Sequence, residues 1–248
     1  MIVLERLTKR FGGFVAVDDL RLTVERGEVF GYLGPNGAGK TTTLRMLMGI
    51  LVPSAGRATI AGLDCHAQRV EVMRRVGFQP DVPQFYDYLR GREVLEIVGE
   101  MHGLGRGEAR ARARELTAQF GLDEAGEDYA VNYSLGMKKK LGLACALVHR
   151  PDVLLLDEPT TGLDPRAARD VRELLQRCAA DGTTVFLSTH LLDMAERMCR
   201  RVGILMQGRL RRVGTPGELR AELAAGGSLE DVYLAVTRGD GQPAEPQV

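Results

Sequence analysis

The chain has no tryptophan and only 5% aromatic residues, too few for the stacking platforms on which single-stranded nucleic acid is held. It also lacks an excess of charge. Thirty-three Lys and Arg residues balance 33 Asp and Glu residues, so its overall field draws in neither a polyanion nor an anionic membrane surface. Nucleic acid is therefore not an expected partner. No apolar run reaches the roughly 18 residues that would span a bilayer, and the opening MIVLERLTKRFGG carries charges where a secretory signal has its apolar stretch. A cytoplasmic chain that spans nothing is expected. The four cysteines, Cys65, Cys145, Cys178 and Cys199, are scattered without CxxC spacing or a neighbouring histidine, which excludes a sequence-local metal cluster and a disulfide framework. Reduced, packed thiols are expected.

What the chain does have is the composition of an ordinary globular domain, 44% hydrophobic and 27% charged over 248 residues. That length suits one core, or one core with a smaller inserted lobe. Short apolar runs at 29–33, 153–156, 185–187 and 202–206 alternate with helical patterns, the pattern of buried parallel strands in an α/β domain. Residues 165–180 read as a crossover helix between the second and third runs. Residues 91–150 differ, with helical patterns at 92–102, 107–120 and 137–149 and no convincing strand. An inserted helical lobe is expected there, between core segments 1–90 and 151–225. Its charge run at 106–115, RGEARARARE, is most simply a solvated helix face. Thr215-Pro216-Gly217-Glu218 has the form of a capping box with proline at the first helical position, opening a helix to about residue 225 that Gly226-Gly227 ends. Residues 226–248 form a tail with one amphipathic stretch at 229–236 and a polar end expected to be loose.

Gly34-Pro35-Asn36-Gly37-Ala38-Gly39-Lys40-Thr41-Thr42 fits G-x-x-x-x-G-K-[ST], directly after an apolar strand and before the helical pattern LRMLMGIL. The glycines let successive N–H groups converge on phosphate oxygens, and the helix adds its positive end. Lys40 supplies a mobile charge between β- and γ-phosphates; the Thr41 hydroxyl is a hard ligand for Mg²⁺. Asp157 and Glu158 follow the apolar run 153–156 at what should be a strand's carboxyl edge, where ligands gather. An isolated acidic pair there is often structural. Beside a phosphate loop it suits a Mg²⁺-holding aspartate and a general base facing the attacking water. Mg²⁺-ATP is the expected ligand and γ-phosphate hydrolysis the expected chemistry.

From Leu7 to about Val236 the chain resembles the nucleotide-binding domains of ABC transporters. The motif order carries the likeness: the phosphate loop, the segment 76–86, Tyr133-Ser134-Leu135-Gly136-Met137, the acidic strand end, and Ser188-Thr189-His190. The resemblance implies a RecA-like phosphate-loop NTPase core with an N-terminal antiparallel β region. It implies a dimer of two such domains, in the simplest case a homodimer. In that family the signature loop of one domain reaches the γ-phosphate held by the other, giving Ser134 and Gly136 a ligand. Phe11 would stack on adenine, Glu158 would be the base, His190 would contact the γ-phosphate, and Asp164 would lie at the dimer seam. Three positions depart from the family pattern. Leu135 and Met137 replace the usual glycine and glutamine, Asp81 stands where a Mg²⁺-contacting glutamine is usual with Gln79 two residues earlier, and Phe11 replaces a frequent tyrosine. Tyr-Ser-Leu-Gly-Met and Gly-Phe-Gln-Pro-Asp look like the branch serving ABC-2-type exporters. That likeness implies a separately encoded permease and a place at the cytoplasmic face of the cell membrane. The alternative is a soluble ABC ATPase acting on ribosomes or DNA, disfavoured because such proteins usually carry two nucleotide-binding halves or a long coiled-coil insertion.

Overall fold

A computed structural model of the chain describes residues 1–221 and 227–238. The first two strands, β1 (Ile2–Phe11) and β2 (Phe14–Val24), form a hairpin around Gly12-Gly13, with Gly12 in the left-handed region at φ +57°. Ile2, Leu4 and Leu7 of β1 and Val17, Leu20, Leu22 and Val24 of β2 are buried, while most polar neighbours face outward, as expected of a sheet covered on one face. After β3 (Val29–Leu33) and α1 (Lys40–Leu47), strands β4 (Ala55–Ile60) and β5 (Leu63–Asp64) complete an antiparallel sheet of order β2-β1-β4-β5.

The chain then enters α2 (Arg69–Met73) and β6 (Val76–Gln79), followed by α3 (Gly91–Met101), α4 (Arg106–Phe120) and α5 (Leu135–Leu147). It returns to the core through β7 (Val153–Asp157), α6 (Pro165–Ala180), β8 (Thr184–Thr189), α7 (Leu192–Met198), β9 (Arg201–Met206) and β10 (Arg209–Gly214). These strands form a second sheet, of order β10-β9-β3-β8-β7-β6, parallel throughout except for the β9–β10 pair. β3, β7 and β8 are buried along their whole length, because both faces of this sheet are covered. The two-residue period of the strands divides the core. Leu154, Leu156, Val185 and Leu187 pack toward the helices, while Val153, Leu155 and Phe186 pack with Phe30 and Tyr32 toward the antiparallel sheet and α1.

The four apolar runs are β3, β7, β8 and β9, and the crossover helix is α6 with the expected bounds. The helical pattern after the phosphate loop is cut short: α1 ends at Leu47 and does not run on to Leu51. Gly49 stops it with φ +63°, and a Cβ there would lie 2.2 Å from the Cys65 carbonyl oxygen. α5 starts at Leu135, two residues ahead of the expected Met137, because the Ser134 Oγ accepts the Met137 N–H at 3.2 Å and caps it. The charge run lies on α4, where Arg106 pairs with Glu100, Arg110 with Glu96 and Arg112 with Glu115. It is a solvated, ion-paired helix face. Arg112 also donates to the Leu147 carbonyl at the end of α5, a favourable place for a cation.

In α8 (Pro216–Ala221) the capping box is complete: Thr215 N–H donates to Glu218 Oε2 at 2.8 Å and Glu218 N–H to Thr215 Oγ1 at 3.1 Å. The amphipathic stretch at 229–236 is part of α9 (Leu229–Arg238), which buries Leu229 and Val232. The continuation of α8 to residue 225, the break at Gly226 and the end of the tail after residue 238 lie outside the described residues. All four cysteines are free thiols, Cys65 and Cys199 fully buried. Among the described residues no helix is long and apolar enough to cross a membrane.

Candidate functional site

β3 delivers the chain to the phosphate loop in a space that admits no side chain at two positions. A Cβ on Gly34 would lie 2.5 Å from the Leu205 carbonyl oxygen. One on Gly39, at φ +108°, would lie 2.5 Å from the Ala16 carbonyl oxygen. Gly39 is also the N-cap of α1 and offers no side-chain cap, so the first N–H groups of that helix are left for an anion. Pro35, Asn36, Gly37, Lys40, Thr41 and Thr42 line the mouth of a cavity of about 620 Å³, while Ala38 is buried beneath them.

Lys40 is 6% exposed. Its Nζ donates to the Gly34 and Pro35 carbonyls at 2.6 and 3.1 Å and lies 4.0 Å from Glu158 Oε1. Burial pulls its pKa below the ordinary lysine value, and Glu158, Asp157 and Asp81 pull it back up. Thr41 Oγ1 donates to Asp157 Oδ2 at 3.0 Å. The other Asp157 oxygen accepts a short bond from Ser188 Oγ. The Glu158 carboxylate is held from two sides: Oε2 accepts the hydroxyls of Thr161 and Thr189, both at 3.1 Å, and Oε1 faces His190 Nδ1 at 2.9 Å.

Sheet order brings these groups together. β8 lies between β3 and β7, with Leu33 opposite Thr189 and Asp157 opposite Ser188. The end of β8 therefore rises between the phosphate loop and the acidic pair, carrying two hydroxyls and His190. Asp81 lines the same cavity, half-exposed, with Oδ1 3.1 Å from Lys139 Nζ. Gln79 is fully buried and its amide donates to the Lys139 carbonyl, so the aspartate is the one of the two that faces the cavity. Phe11, half-exposed with Lys9 Nζ 5.1 Å from its ring centroid, lines the cavity beside Phe14.

Three expected site residues lie elsewhere on this chain. Ser134 and Gly136 sit at the start of α5, outside the cavity. Asp164 caps α6, accepting the Arg166 and Ala167 N–H groups at 3.0 Å, and these bonds hold its carboxyl below the usual carboxylate range. The two loops touch: a Cβ on Gly162 would lie 2.9 Å from Leu135 Cδ2. Lys139 and Phe14 carry no motif of their own in the sequence, and Thr161 stands there only in the stretch 159–165 after the acidic pair, without a role. Ser188 and Thr189 stand in their motif without assigned work, although two hydroxyls ahead of a histidine at a strand end are a usable signal.

The site fits Mg²⁺ with a nucleotide. Thr41 Oγ1 and Asp157 Oδ2 are adjacent hard oxygens, and Asp81 lines the same cavity. Among the described residues no three His, Cys, Asp or Glu side chains form a metal cage of their own. Mg²⁺ is commonly held in that way, by one or two carboxylates together with substrate phosphates and waters.

The sequence model of the family described as ABC transporter matches residues 17–161. The chain belongs to the ABC transporter family. The daunorubicin resistance ATP-binding protein DrrA3 of Streptomyces coeruleorubidus is 42% identical over 94% of this chain and 73% of its own length. A solved ATP-binding subunit of an ABC transporter superposes with a TM-score of 0.89 at 31% identity, covering 96% of this chain and 99% of that one. A dimeric bacterial ABC transporter cassette gives a TM-score of 0.79 at 26% identity, covering 87% and 98%. As an ABC ATPase of this kind, the chain binds and hydrolyses ATP to energise a transporter.

Proposed function

We propose that two copies of this chain close head to tail over two ATP molecules, hydrolyse them, and drive a separately encoded ABC-2-type export permease from the cytoplasmic face of the membrane. The observation that carries the proposal is the Glu158 carboxylate, fixed by Thr161, Thr189 and His190 and 4.0 Å from Lys40 at the phosphate loop. Lys40 and the N-terminus of α1 bind the β- and γ-phosphates, and Phe11 stacks on adenine. Glu158 takes a proton from water as the water oxygen attacks the γ-phosphorus; the bond to the β–γ bridging oxygen breaks and ADP leaves with that electron pair. His190, oriented by its bond to Glu158, lies beside the γ-phosphate. Thr41, Asp157 and Asp81 would hold Mg²⁺, which when bound neutralises charge on the phosphates.

Ser134 and Gly136 find their ligand in the partner copy's nucleotide, because on their own chain they lie away from the cavity. The helix end that Ser134 caps suits an anion. Asp164 lies at the seam, and loss of the γ-phosphate releases the interface. The helical lobe and the exposed Tyr86 and Tyr88 receive the permease. The relative named for daunorubicin resistance supports export as the direction of transport. The test is to tag Glu158→Gln in the native host, solubilise membranes gently with ATP, and identify copurifying proteins by mass spectrometry. A multi-helix membrane protein is the expected result. Ribosomal or DNA-associated proteins alone would reassign the work of the ATPase.

A further inference from the structure

Lys139, inside α5, is only 2% exposed, deep burial for an ammonium group. Its Nζ donates to the Glu158 carbonyl oxygen at 2.6 Å and to Asp81 Oδ1 at 3.1 Å. Its own carbonyl accepts the Gln79 amide at 3.2 Å. One residue therefore joins the helix that follows Ser134, the end of β6, the loop carrying Asp81 and the turn after β7. Glu158 sits at φ +48°, a left-handed conformation that L residues keep only where the surroundings fix it. Its N–H is held by the Ser188 carbonyl at 3.0 Å, and its carbonyl by Lys139 at 2.6 Å and by the Thr161 N–H at 3.4 Å. These backbone bonds direct the side chain toward Thr161, Thr189 and His190, which hold its carboxylate.

We propose that Lys139 is a positioning residue for hydrolysis: it holds Glu158 in its left-handed conformation and ties it to Asp81, so that movement of the Asp81 loop re-aims the base. The proposal rests on Glu158 being that base. Lys139 does not line the nucleotide cavity and reaches it only through Asp81, while Lys40 and the phosphate loop keep their own bonds, so its loss is expected to act on turnover more than on nucleotide affinity. Asp81 is half-exposed and stays hydrated without its partner, so removing the lysine leaves no buried carboxylate stranded.

The test is a mutant cycle of Lys139→Met and Glu158→Gln, read as single-turnover γ-phosphate release, nucleotide affinity and melting temperature. Lys139→Met is expected to lower turnover about 10- to 100-fold, the effect of roughly 1 Å of misplacement, with affinity within about threefold. In the Glu158→Gln background it is expected to add no further loss, because it acts through that carboxylate. Lys139→Gln, which keeps an N–H donor, is expected to fall between Lys139→Met and the native chain, and stands in if the methionine variant does not fold. Turnover within threefold of native per nucleotide-binding molecule, or a loss that multiplies with that of Glu158→Gln, overturns the proposal. If Glu158→Gln alone keeps turning over, the base assignment fails and the proposal falls with it. That outcome is separable from a silent Lys139→Met beside a dead Glu158→Gln.

Discussion

Replacing Glu158 with glutamine keeps the side-chain volume and exchanges one carboxylate oxygen for an amide. Oε2 now accepts the Thr161 and Thr189 hydroxyls, and Oε1 faces His190 Nδ1. A hydroxyl can turn to accept from an amide as readily as it donates to a carboxylate, so the loss of stability should be about 1 kcal/mol, a fall of roughly 2–4 °C in melting temperature. Proton abstraction suffers far more. A positioned base contributes about 10²- to 10⁴-fold, or about 3–5 kcal/mol at the transition state, and the amide supplies none of it. Lys40 loses the carboxylate 4.0 Å away but keeps its bonds to the Gly34 and Pro35 carbonyls, and the phosphate-loop backbone is unchanged, so ATP affinity should stay within about threefold. Phosphate release under saturating ATP, fluorescent-nucleotide titration and a thermal melt on one preparation check all three. A folded variant with turnover within threefold of native, or one that no longer binds ATP, refutes the assignment of Glu158 as the base.

Lys40→Ala should act in the opposite sense, raising the dissociation constant for ATP about 10- to 100-fold by removing charge-assisted bonds to phosphate; calorimetric titration measures it. Gly39→Ala forces a Cβ to within 2.5 Å of the Ala16 carbonyl at φ +108°, and should lower the melting temperature by roughly 5 °C while weakening nucleotide binding. The His149 ring stacks on His102 at 3.6 Å with both nitrogens buried, and burial together with the neighbouring His102 pushes its pKa down to about 4. The unfolded chain therefore binds a proton that the folded chain does not between about pH 6.5 and 4. Stability is complete above that window and falls as pH drops through it, by about 1–2 kcal/mol once partial exposure is allowed for. His149→Phe should flatten melting temperature against pH in that range.

The sequence showed β3, β7, β8 and β9 because each is an apolar run covered on both faces, a signal that needs no partner to be seen. It showed β1 and β2 only through resemblance. Arg6 and Asp19 sit at φ +50° and +47°, and the β1–β2 pairing shifts register between Leu4 and Leu7 and again beyond it, which breaks the two-residue alternation. β6 is four residues long and α7 opens on Leu191 without a side-chain cap, so neither carries a boundary signal. The site divides along the same line. Lys40, Thr41, Asp157 and Glu158 lie in contiguous motifs that can be read without the fold. Ser188 reaches Asp157 through the β7–β8 register, and Lys139 reaches Glu158 through the packing of α5. Both depend on elements distant in the chain. Asp81 is picked out by its place in the motif, while the burial of Gln79 against the Lys139 carbonyl shows only once α5 packs on β6.

In the proposed mechanism ATP itself joins two copies of this chain, each completing the other's site with Ser134 and Gly136. Light scattering on purified Glu158→Gln, with ATP and then with ADP, tests it most directly. The expected result is twice the chain mass with ATP, the single-chain mass with ADP, and loss of the ATP-dependent dimer when Ser134→Glu is added. A single-chain mass in both nucleotides, with ATP shown to be bound, would contradict it.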